Sequence, residues 1–323
     1  MNNSVLDSLR DVIQNDIGKR GLRTDPARNL VNACPDDFAA ACRSLAEHPH
    51  PGLAVVTGFF IPTATPPAGE TDGPLGALFL ARALVPLGIP VVLVTDDFCV
   101  RALEAGLAEC GMRKQVPLVT LPTPAHANDM RDTEYWRYCE ERKGLSALTH
   151  LLAIERVGPS HSNGRCHTMR GRDITDSMSP AHRLFLHTQR EDKLASITTL
   201  GIGDGGNEIG MGKIPREVIA HNINNGDLVA CQIPTQHLIV CGVSNWGAYA
   251  LAAGVAHLRG KALDAALFDS AREREILEIM VKAGPLVDGV TGQPNATVDG
   301  LTWEQYAAVL TACGLEAVSK PVA

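Results

Sequence analysis

The segment TTLGIGDGGNEIGMGK, residues 198–213, is the strongest guide to the fold of this chain. Its apolar first half lacks polar alternation, which is typical of a strand buried on both faces of a parallel sheet. Glycines interleaved with Asp204 and Glu208 follow at once. Because ligands of open α/β sheets bind outside the carboxyl ends of the strands, this glycine-acid turn predicts a ligand site.

Further apolar runs and helical patterns alternate on both sides of this segment. Together with 196–203, the predicted strands are 53–60, 91–97, 150–155 and 237–243. The predicted helices are 74–88, 97–110, 129–143, 179–192, 245–259, 268–283 and 302–313. This alternation predicts an α/β fold, with a largely parallel sheet, helices on both faces, a Rossmann-like architecture and insertions.

The long polar segment 156–178 leaves two domain divisions open. The chain forms a single large α/β unit over 1–323, or an N-terminal α/β half over 1–155 and a C-terminal α/β half over 179–323. In the second case 156–178 joins the halves. Loops of this length inside compact domains are usually functional or disordered.

The composition argues against several kinds of partner. A net charge of −7 and only 4% aromatic residues are unlike a nucleic-acid-binding surface. No apolar run reaches membrane-spanning length without charges or Pro/Gly breaks. The nine cysteines include no C-x-x-C pair, which favours reduced thiols in a cytoplasmic protein. The sequence leaves a homo-oligomer open.

The glycine spacing first suggests a nucleotide. Gly201-x-Gly203-x-x-Gly206 fits a dinucleotide fingerprint, and Asp227 follows about twenty residues later. A Walker phosphate loop fails, because Asn207 stands where its glycine belongs and Ile214 where its Ser or Thr belongs. Carboxylates beside a diphosphate would repel it. Dinucleotide binding through 201–206 remains one alternative, and a non-catalytic small-molecule sensor another.

A nest of backbone N–H groups carrying acid/base or metal-binding carboxylates explains the same residues. In that hypothesis Asp204 and Glu208 perform chemistry on a small ligand. If a helix begins near Asn207, however, Asp204 could simply cap it and Glu208 complement its dipole.

Polar residues at the other predicted strand ends point to the same crevice. They are Thr57, Gly58, Thr71, Asp72, Gly73, Glu155, Arg156, Ser244 and Asn245. Helix caps and a structural Glu155–Arg156 pair are the competing interpretations. A basic island, consisting of Arg156, Arg165, Arg170 and Arg172, follows one of these strands and suits a small anionic substrate, although a solvated charged loop would look alike.

Taken together, these motifs resemble the D-glutamate cyclase family. The matching segments are TGFF, ETDGPLGA, TDD, AIERVG, GIGDGGNEIGMGK, SNWGAYAL and DGVTG, in that order over residues 57–292. The resemblance implies a carbon–oxygen lyase (hydro-lyase) that converts D-glutamate, a small amino dicarboxylate, to 5-oxo-D-proline with loss of water and without ATP. It is compatible with a divalent metal, Mn²⁺ or Mg²⁺, and implies no organic cofactor.

This activity suggests roles for the candidate residues. Asp204 and Glu208 are assigned to acid/base or metal-binding duty, with Asp72 and Glu155 as supporting catalytic carboxylates. Arg156 and Asn245 are expected to hold substrate carboxylates. The remaining predicted substrate-binding residues are Thr57, Gly58, Thr71, Gly73, Gly203, Gly205, Gly206, Asn207 and Ser244.

Overall fold

The computed structural model describes residues 4–141, 148–191, 194 and 196–318. The strands are β1 (Leu53–Thr57), β2 (Phe60–Ile61), β3 (Ala68–Glu70), β4 (Val91–Thr95), β5 (Leu118–Thr120), β6 (His150–Ile154), β7 (Thr198–Gly203), β8 (His237–Val240) and β9 (Leu286–Val287). The α-helices are α1 (Ser4–Ile13), α2 (Asp37–Glu47), α3 (Pro74–Leu84), α4 (Asp97–Glu109), α5 (Pro124–Asn128), α6 (Asp132–Glu141), α7 (His182–Arg190), α8 (Arg216–Asn222), α9 (Gly226–Val229), α10 (Ser244–Leu258), α11 (Ser270–Ala283) and α12 (Trp303–Val318). Short 3₁₀ turns cover Val85–Leu87, Thr175–Ser177 and Ala265–Phe268.

Six strands form one sheet in the order β5-β4-β1-β6-β7-β8, and every pair of neighbours is parallel. Counted along the chain, this is the 3-2-1-4-5-6 order of Rossmann-like sheets. The order reverses between β1 and β6, which is the point where such sheets bind ligands. The predicted α/β fold is confirmed, and all five predicted strands lie in this sheet.

Both faces of the sheet are buried, which explains why its strands lack polar alternation. Leu53 and Val55 point into one core, which α3 and α10 cover, whereas Ala54 and Val56 point into a second core on the opposite face. The second core also contains Phe185 of α7. Helices therefore cover both faces, as predicted.

A small second sheet places acidic residues beside the carboxyl edge of the large one. Its order is β2-β3-β9, with β3 antiparallel to β2 and parallel to β9. Glu70 is the last residue of β3, and Asp288 follows β9 directly. The sequence patterns did not predict this sheet, because its strands have only two or three residues.

Each predicted helical segment contains a helix, although the predictions at 142–143 and 192 lie outside the described residues. No helix begins near Asn207, so the alternative in which Asp204 caps a helix does not apply. Extended backbone and turns follow β7 instead, and the next helix, α8, begins only at Arg216. Asn207 and Ile209 are tied by backbone hydrogen bonds to Gly158 and Arg156, and this pairing holds the segment extended.

The main sheet draws strands from both sides of segment 156–178. The division of the chain into one or two domains remains a prediction. None of the helices in the described part of the chain is both long and apolar enough to span a membrane.

Candidate active site

Three buried carboxylates meet at the carboxyl edge of the main sheet. Glu155 directly follows β6, Asp204 directly follows β7, and Asp72 lies between β3 and α3. One oxygen of each carboxylate lies within 4.8 Å of the others, and the three residues are at most 4% exposed. We call Asp72, Glu155 and Asp204 the acid triad.

Asp72 is held in place by reciprocal capping of two helices, in which Asp72 caps α10 and Asn245 caps α3. The Asp72 carboxylate accepts hydrogen bonds from the backbone N–H groups of Ser244 (2.8 Å) and Asn245 (2.8 Å), at the start of α10. In return, Asn245 Oδ1 accepts from the N–H groups of Gly73 (2.9 Å) and Gly76 (2.7 Å), at the start of α3. The side-chain oxygen of Asn245 therefore caps a helix, which is the alternative to its predicted contact with substrate.

Glu155 is held by its backbone and by a serine. Its φ of 44° is in the left-handed region, which costs a non-glycine residue about 1–3 kcal/mol. A residue stays in this conformation only where its surroundings impose it. Ser244 Oγ donates to Glu155 Oε2 over 2.6 Å. Gly73 packs so closely that a Cβ there would lie 2.7 Å from both Glu155 Cβ and Thr57 Oγ1. A glycine is needed at position 73 to let these elements meet.

Asp204 receives its cation from the N-terminal segment of the chain. Arg20 Nη1 donates to Asp204 Oδ1 over 2.6 Å, and Arg20 Nη2 pairs with Asp299. The second oxygen, Asp204 Oδ2, is buried and accepts no hydrogen bond from any of the described residues. An orphaned carboxylate oxygen beside two other carboxylates is a position that a cation or a donor of a ligand can satisfy.

Burial and crowding shift the protonation of this cluster. Burial, together with the nearby Asp299, raises the pKa of Asp72 to about 7. Burial also raises the pKa of Glu155 well above its usual range, and the charges of Glu208 and Asp72 add to this effect. The pKa of Asp204 is likewise raised by burial, although Arg20 opposes the shift. At neutral pH the cluster can therefore hold protons that exposed carboxylates would release.

Glu208 lies beneath the triad and serves the glycine turn. Its Oε1 accepts from the N–H groups of Asp204 (3.0 Å) and Gly205 (2.6 Å), and its Oε2 accepts from Gly206 (2.7 Å). The predicted nest of N–H groups exists, but a side chain of the protein fills it. Glu208 is not one of the three residues that can share a cation.

The glycines of this turn allow other parts of the protein, and not a ligand, to pack closely against its backbone. A Cβ at Gly201 would lie 2.8 Å from Ile209 O, and one at Gly203 would lie 2.9 Å from Glu208 Cδ. No helix start follows to receive a pyrophosphate. The structural context required by the dinucleotide fingerprint is therefore absent from this turn.

Several other predicted site residues support the backbone. Arg156 is fully buried, pairs with Asp96 and donates to the carbonyl oxygens of Gly58 (3.0 Å) and Ser179 (2.6 Å). Thr71 Oγ1 donates to Thr297 O over 2.8 Å. This geometry favours a structural role for Arg156 over a contact with substrate, although its partner is Asp96 and not Glu155 as in the alternative that the sequence left open.

Two predicted residues keep an unused polar atom. Thr57 Oγ1, at the end of β1, and Asn207 Oδ1 are both buried without a hydrogen-bond partner. Asn207 Nδ2 is occupied, since it donates to His167 O over 2.8 Å.

A cavity of about 420 Å³ reaches the acid triad at Glu155, the member of the triad that lines it. Small-molecule sites commonly enclose roughly 300–1,000 Å³. Glu70 and Glu155 line its acidic side, and Lys19, Arg20, Arg170 and Arg172 contribute cations. Apolar side chains, among them Phe59, complete the wall. Two members of the predicted basic island, Arg170 and Arg172, thus reach this cavity, whereas Arg165 pairs with Asp173 and Asp176.

The sequence prediction missed Arg20 and Asp299, and it gave no site role to Glu70, which begins the matching segment ETDGPLGA. Glu70 stands two residues before Asp72, and its position at the end of a strand could have identified it. Arg20 and Asp299 gave no comparable signal, because each is far along the chain from the motifs it joins. Burial raises the pKa of both Glu70 and Asp299, as it does for the triad.

The acid triad fits a divalent cation. Three carboxylates with hard oxygen donors, one of them carrying the unpartnered Asp204 Oδ2, match the ligand preference of Mn²⁺ and Mg²⁺. The predicted pair of Asp204 and Glu208 is only half present here, since Asp72 and Glu155 stand beside Asp204 and Glu208 does not.

Comparison with known proteins places the chain in a family. A sequence model of the family described as "D-glutamate cyclase-like, C-terminal" matches residues 9–313. The chain belongs to this family. The match includes all of the acid triad, Arg20 and the two helix starts that cap each other.

A human relative supports the same assignment. The chain is 31% identical over 248 residues to "D-glutamate cyclase, mitochondrial" of Homo sapiens. The aligned part is 76% of this chain and 37% of the human protein. This member of the D-glutamate cyclase-like family therefore matches little more than a third of that relative's length.

Proposed function

We propose that this protein is a lyase that closes D-glutamate to 5-oxo-D-proline, releasing water and using no ATP. The observation that carries the proposal is the acid triad, which borders a cavity through Glu155 and faces cations that line the same cavity. Membership of the D-glutamate cyclase-like family and the name of the human relative support the choice of substrate.

The charges of the cavity suit an amino dicarboxylate. The α-ammonium group of glutamate is complementary to the carboxylates of Asp72, Glu155 and Asp204, whereas its α-carboxylate is complementary to the cations of the cavity that Glu155 lines. Cyclisation is intramolecular, so a site that folds the substrate until the amine meets the γ-carboxyl carbon supplies much of the rate acceleration.

The reaction balances without any external proton. A C–N bond forms between the α-nitrogen and the γ-carbon, and one C–O bond of the γ-carboxyl breaks. The nitrogen gives up two protons in passing from ammonium to lactam, and the departing oxygen needs two protons to leave as water. The protein must therefore carry protons from nitrogen to oxygen over a few ångströms.

The acid triad is suited to this transfer. A carboxyl group whose pKa is raised toward neutrality, as that of Asp72 is, can both accept and donate a proton at physiological pH. We assign the proton transfer to the triad as a unit. Asp204 Oδ2 is the oxygen available for it, because no hydrogen bond from the described residues occupies it. Glu208 supports this arrangement by holding the turn that carries Asp204.

Asp72, Glu155 and Asp204 would also hold a divalent cation if the protein binds one. Such a cation would supply positive charge next to the attacked carboxyl group, where negative charge develops.

The test is turnover of D- and L-glutamate without nucleotide, after chelation and again after addition of Mn²⁺ or Mg²⁺. Chiral chromatography would follow 5-oxoproline. We expect 5-oxo-D-proline from the wild type and a loss of about 10²-fold or more for Asp204→Asn, the range associated with general acid–base groups. Asp176→Asn changes an exposed aspartate and serves as the matched control.

Two results would contradict the proposal. Full activity of Asp204→Asn would remove the triad from the chemistry. Thermal stabilisation by D-glutamate without any product would instead indicate a sensor that uses the same cavity.

A further inference from the structure

Three cations on the rim of the cavity have no carboxylate partner in the described part of the chain. Lys19, Arg170 and Arg172 line the cavity and are exposed. Within the described residues, none of the three forms an ion pair, whereas Arg20, Arg156 and Arg165 all do. We call Lys19, Arg170 and Arg172 the cationic rim.

The position of the cationic rim is unusual for this protein. The chain carries a net charge of −7, so scattered acidic side chains are available to neutralise surface cations. Exposed cations such as Arg113 also lie elsewhere on the described surface, but Lys19, Arg170 and Arg172 line the same cavity as the acidic Glu70 and Glu155. Low-dielectric walls focus the field of such a cluster into the cavity and attract an anion.

The local backbone holds the rim in shape. Thr168 and Arg172 exchange hydrogen bonds across a tight turn, since Thr168 N donates to Arg172 O (2.9 Å) and Arg172 N to Thr168 Oγ1 (3.2 Å). Asn225 Nδ2 donates to Met169 O over 3.2 Å and ties the same turn to a neighbouring loop. Arg170 Nη2 donates to Val290 O over 2.9 Å on the far side of the cavity.

We infer that the cationic rim is the subsite for the α-carboxylate of the substrate and for the carboxylate that the product retains. This inference rests on the proposed function for the identity of the ligand. In cyclisation the amine and the γ-carboxyl must meet at the acid triad, so the α-carboxylate is the group left for the rim. Arg172 is then a specificity-determining residue, because its guanidinium pairs with no carboxylate among the residues that the structure describes.

The product isolates this subsite from the acid triad. 5-Oxo-D-proline retains the α-carboxylate but has neither a free amine nor a γ-carboxyl group. Its amide, 5-oxo-D-prolinamide, has nearly the same shape and no charge. The difference in affinity between the two compounds therefore reports the rim alone.

The experiment is calorimetric titration of both compounds into the wild type, Arg172→Gln and Arg172→Lys. We expect the wild type to bind 5-oxo-D-proline about tenfold more tightly than the amide, the factor expected for one charge-assisted contact. Arg172→Gln should lose most of this preference with its affinity for the amide unchanged. Arg172→Lys should keep part of it, because the charge remains. Arg113→Gln removes an exposed arginine outside the cavity and is the control.

Arg172 is preferred to Arg170 as the test position because Arg170 also bonds to Val290 O. In turnover, Arg172→Gln should raise KM for D-glutamate with little change in kcat, as expected when binding is lost equally from ground and transition states.

Equal binding of the two compounds by the wild type would overturn the inference. So would a uniform loss of affinity for both in Arg172→Gln, since that result indicates a structural role. A wild type that discriminates between the two compounds but forms no 5-oxoproline would refute the proposed activity and retain the anion subsite. A wild type that turns over D-glutamate but binds the two compounds equally would retain the proposed activity and refute the anion subsite.

Discussion

Replacing Arg20 with methionine should destabilise the protein strongly and in a pH-dependent way. Arg20 is the cation that pairs with Asp204 and Asp299, whose side chains are 0% and 2% exposed. Methionine keeps much of the side-chain volume but leaves both carboxylates without their partner. Removal of one member of a buried ion pair costs about 3–5 kcal/mol. Because the Arg20 side chain is itself 17% exposed, we expect the lower end, about 3 kcal/mol at pH 8.

The sign of the pH dependence follows from the carboxylates. Burial raises the pKa of Asp204 and Asp299 in the folded protein, and Arg20 opposes both shifts. Without Arg20 these pKa values rise further, so the folded variant binds more protons than its unfolded chain. The stability of the variant then falls as pH rises from the unfolded pKa, near 4, toward the folded one, by at most about 1.4 kcal/mol per pH unit for each extra proton.

Urea unfolding of metal-free protein at pH 5 and pH 8 measures this difference. We expect the gap between wild type and Arg20→Met to be clearly larger at pH 8. Arg113→Met, at an exposed site, should differ from wild type by less than about 0.5 kcal/mol at either pH. A gap below about 1 kcal/mol at pH 8, or one that is equal at the two pH values, would refute the assignment of Arg20 as the charge partner of these acids.

Three further predictions concern the glycine turn that Glu208 holds, the close packing at Gly73 and the binding of a divalent cation. Glu208→Gln should lower the free energy of unfolding by about 1–3 kcal/mol for each N–H group left unpaired, since an amide offers only one acceptor oxygen; urea titration measures this. Gly73→Ala should lower Tm sharply, because φ is 91° and the new Cβ would lie 2.7 Å from Thr57 Oγ1 and Glu155 Cβ. Asp204→Asn should lower the Mn²⁺ affinity measured by calorimetry by about tenfold or more. Loss of a residue that only hydrogen-bonds to a metal ligand already costs about that factor.

Matched variants separate these effects from general damage. Gly260 has a φ of 62°, and no atom lies within 4 Å of the place where its Cβ would stand, so Gly260→Ala shows the cost of backbone strain alone. If Gly73→Ala is no worse than Gly260→Ala, close packing is not what requires the glycine. An unchanged unfolding curve for Glu208→Gln, or unchanged Mn²⁺ affinity for Asp204→Asn, would remove those residues from their assigned roles.

The sequence predicted the main sheet well because its strands are buried on both faces. Runs such as 53–60 and 150–155 must be continuously apolar to lie between two helical layers, and that pattern is visible without any contact information. Edge strand β5 and the three short strands of the second sheet lacked such a pattern. They depend on pairing with distant residues, as Gly69 pairs with Leu286.

The candidate site was predicted only in part. Strand-end residues such as Glu155 and Asp204 were identified because the carboxyl ends of parallel strands share one edge of a sheet. Their roles were harder to assign, since Asp204 and Glu208 have the same chemistry and similar surroundings in sequence. Asp204 carries an unpartnered oxygen beside two other acids, whereas the Glu208 carboxylate accepts hydrogen bonds from three backbone N–H groups.

Local sequence was thus sufficient for the α/β class, five of the six strands of the central sheet and the sheet edge at which the candidate site lies. These depend on hydrophobic periodicity and on turn residues, which act between near neighbours in the chain. Tertiary structure alone assigned Arg20 to Asp204, Asn245 to the start of α3, and Glu208 to the glycine turn. Charge pairing and capping depend on distances through space, and folding brings together groups as far apart as residues 20 and 204.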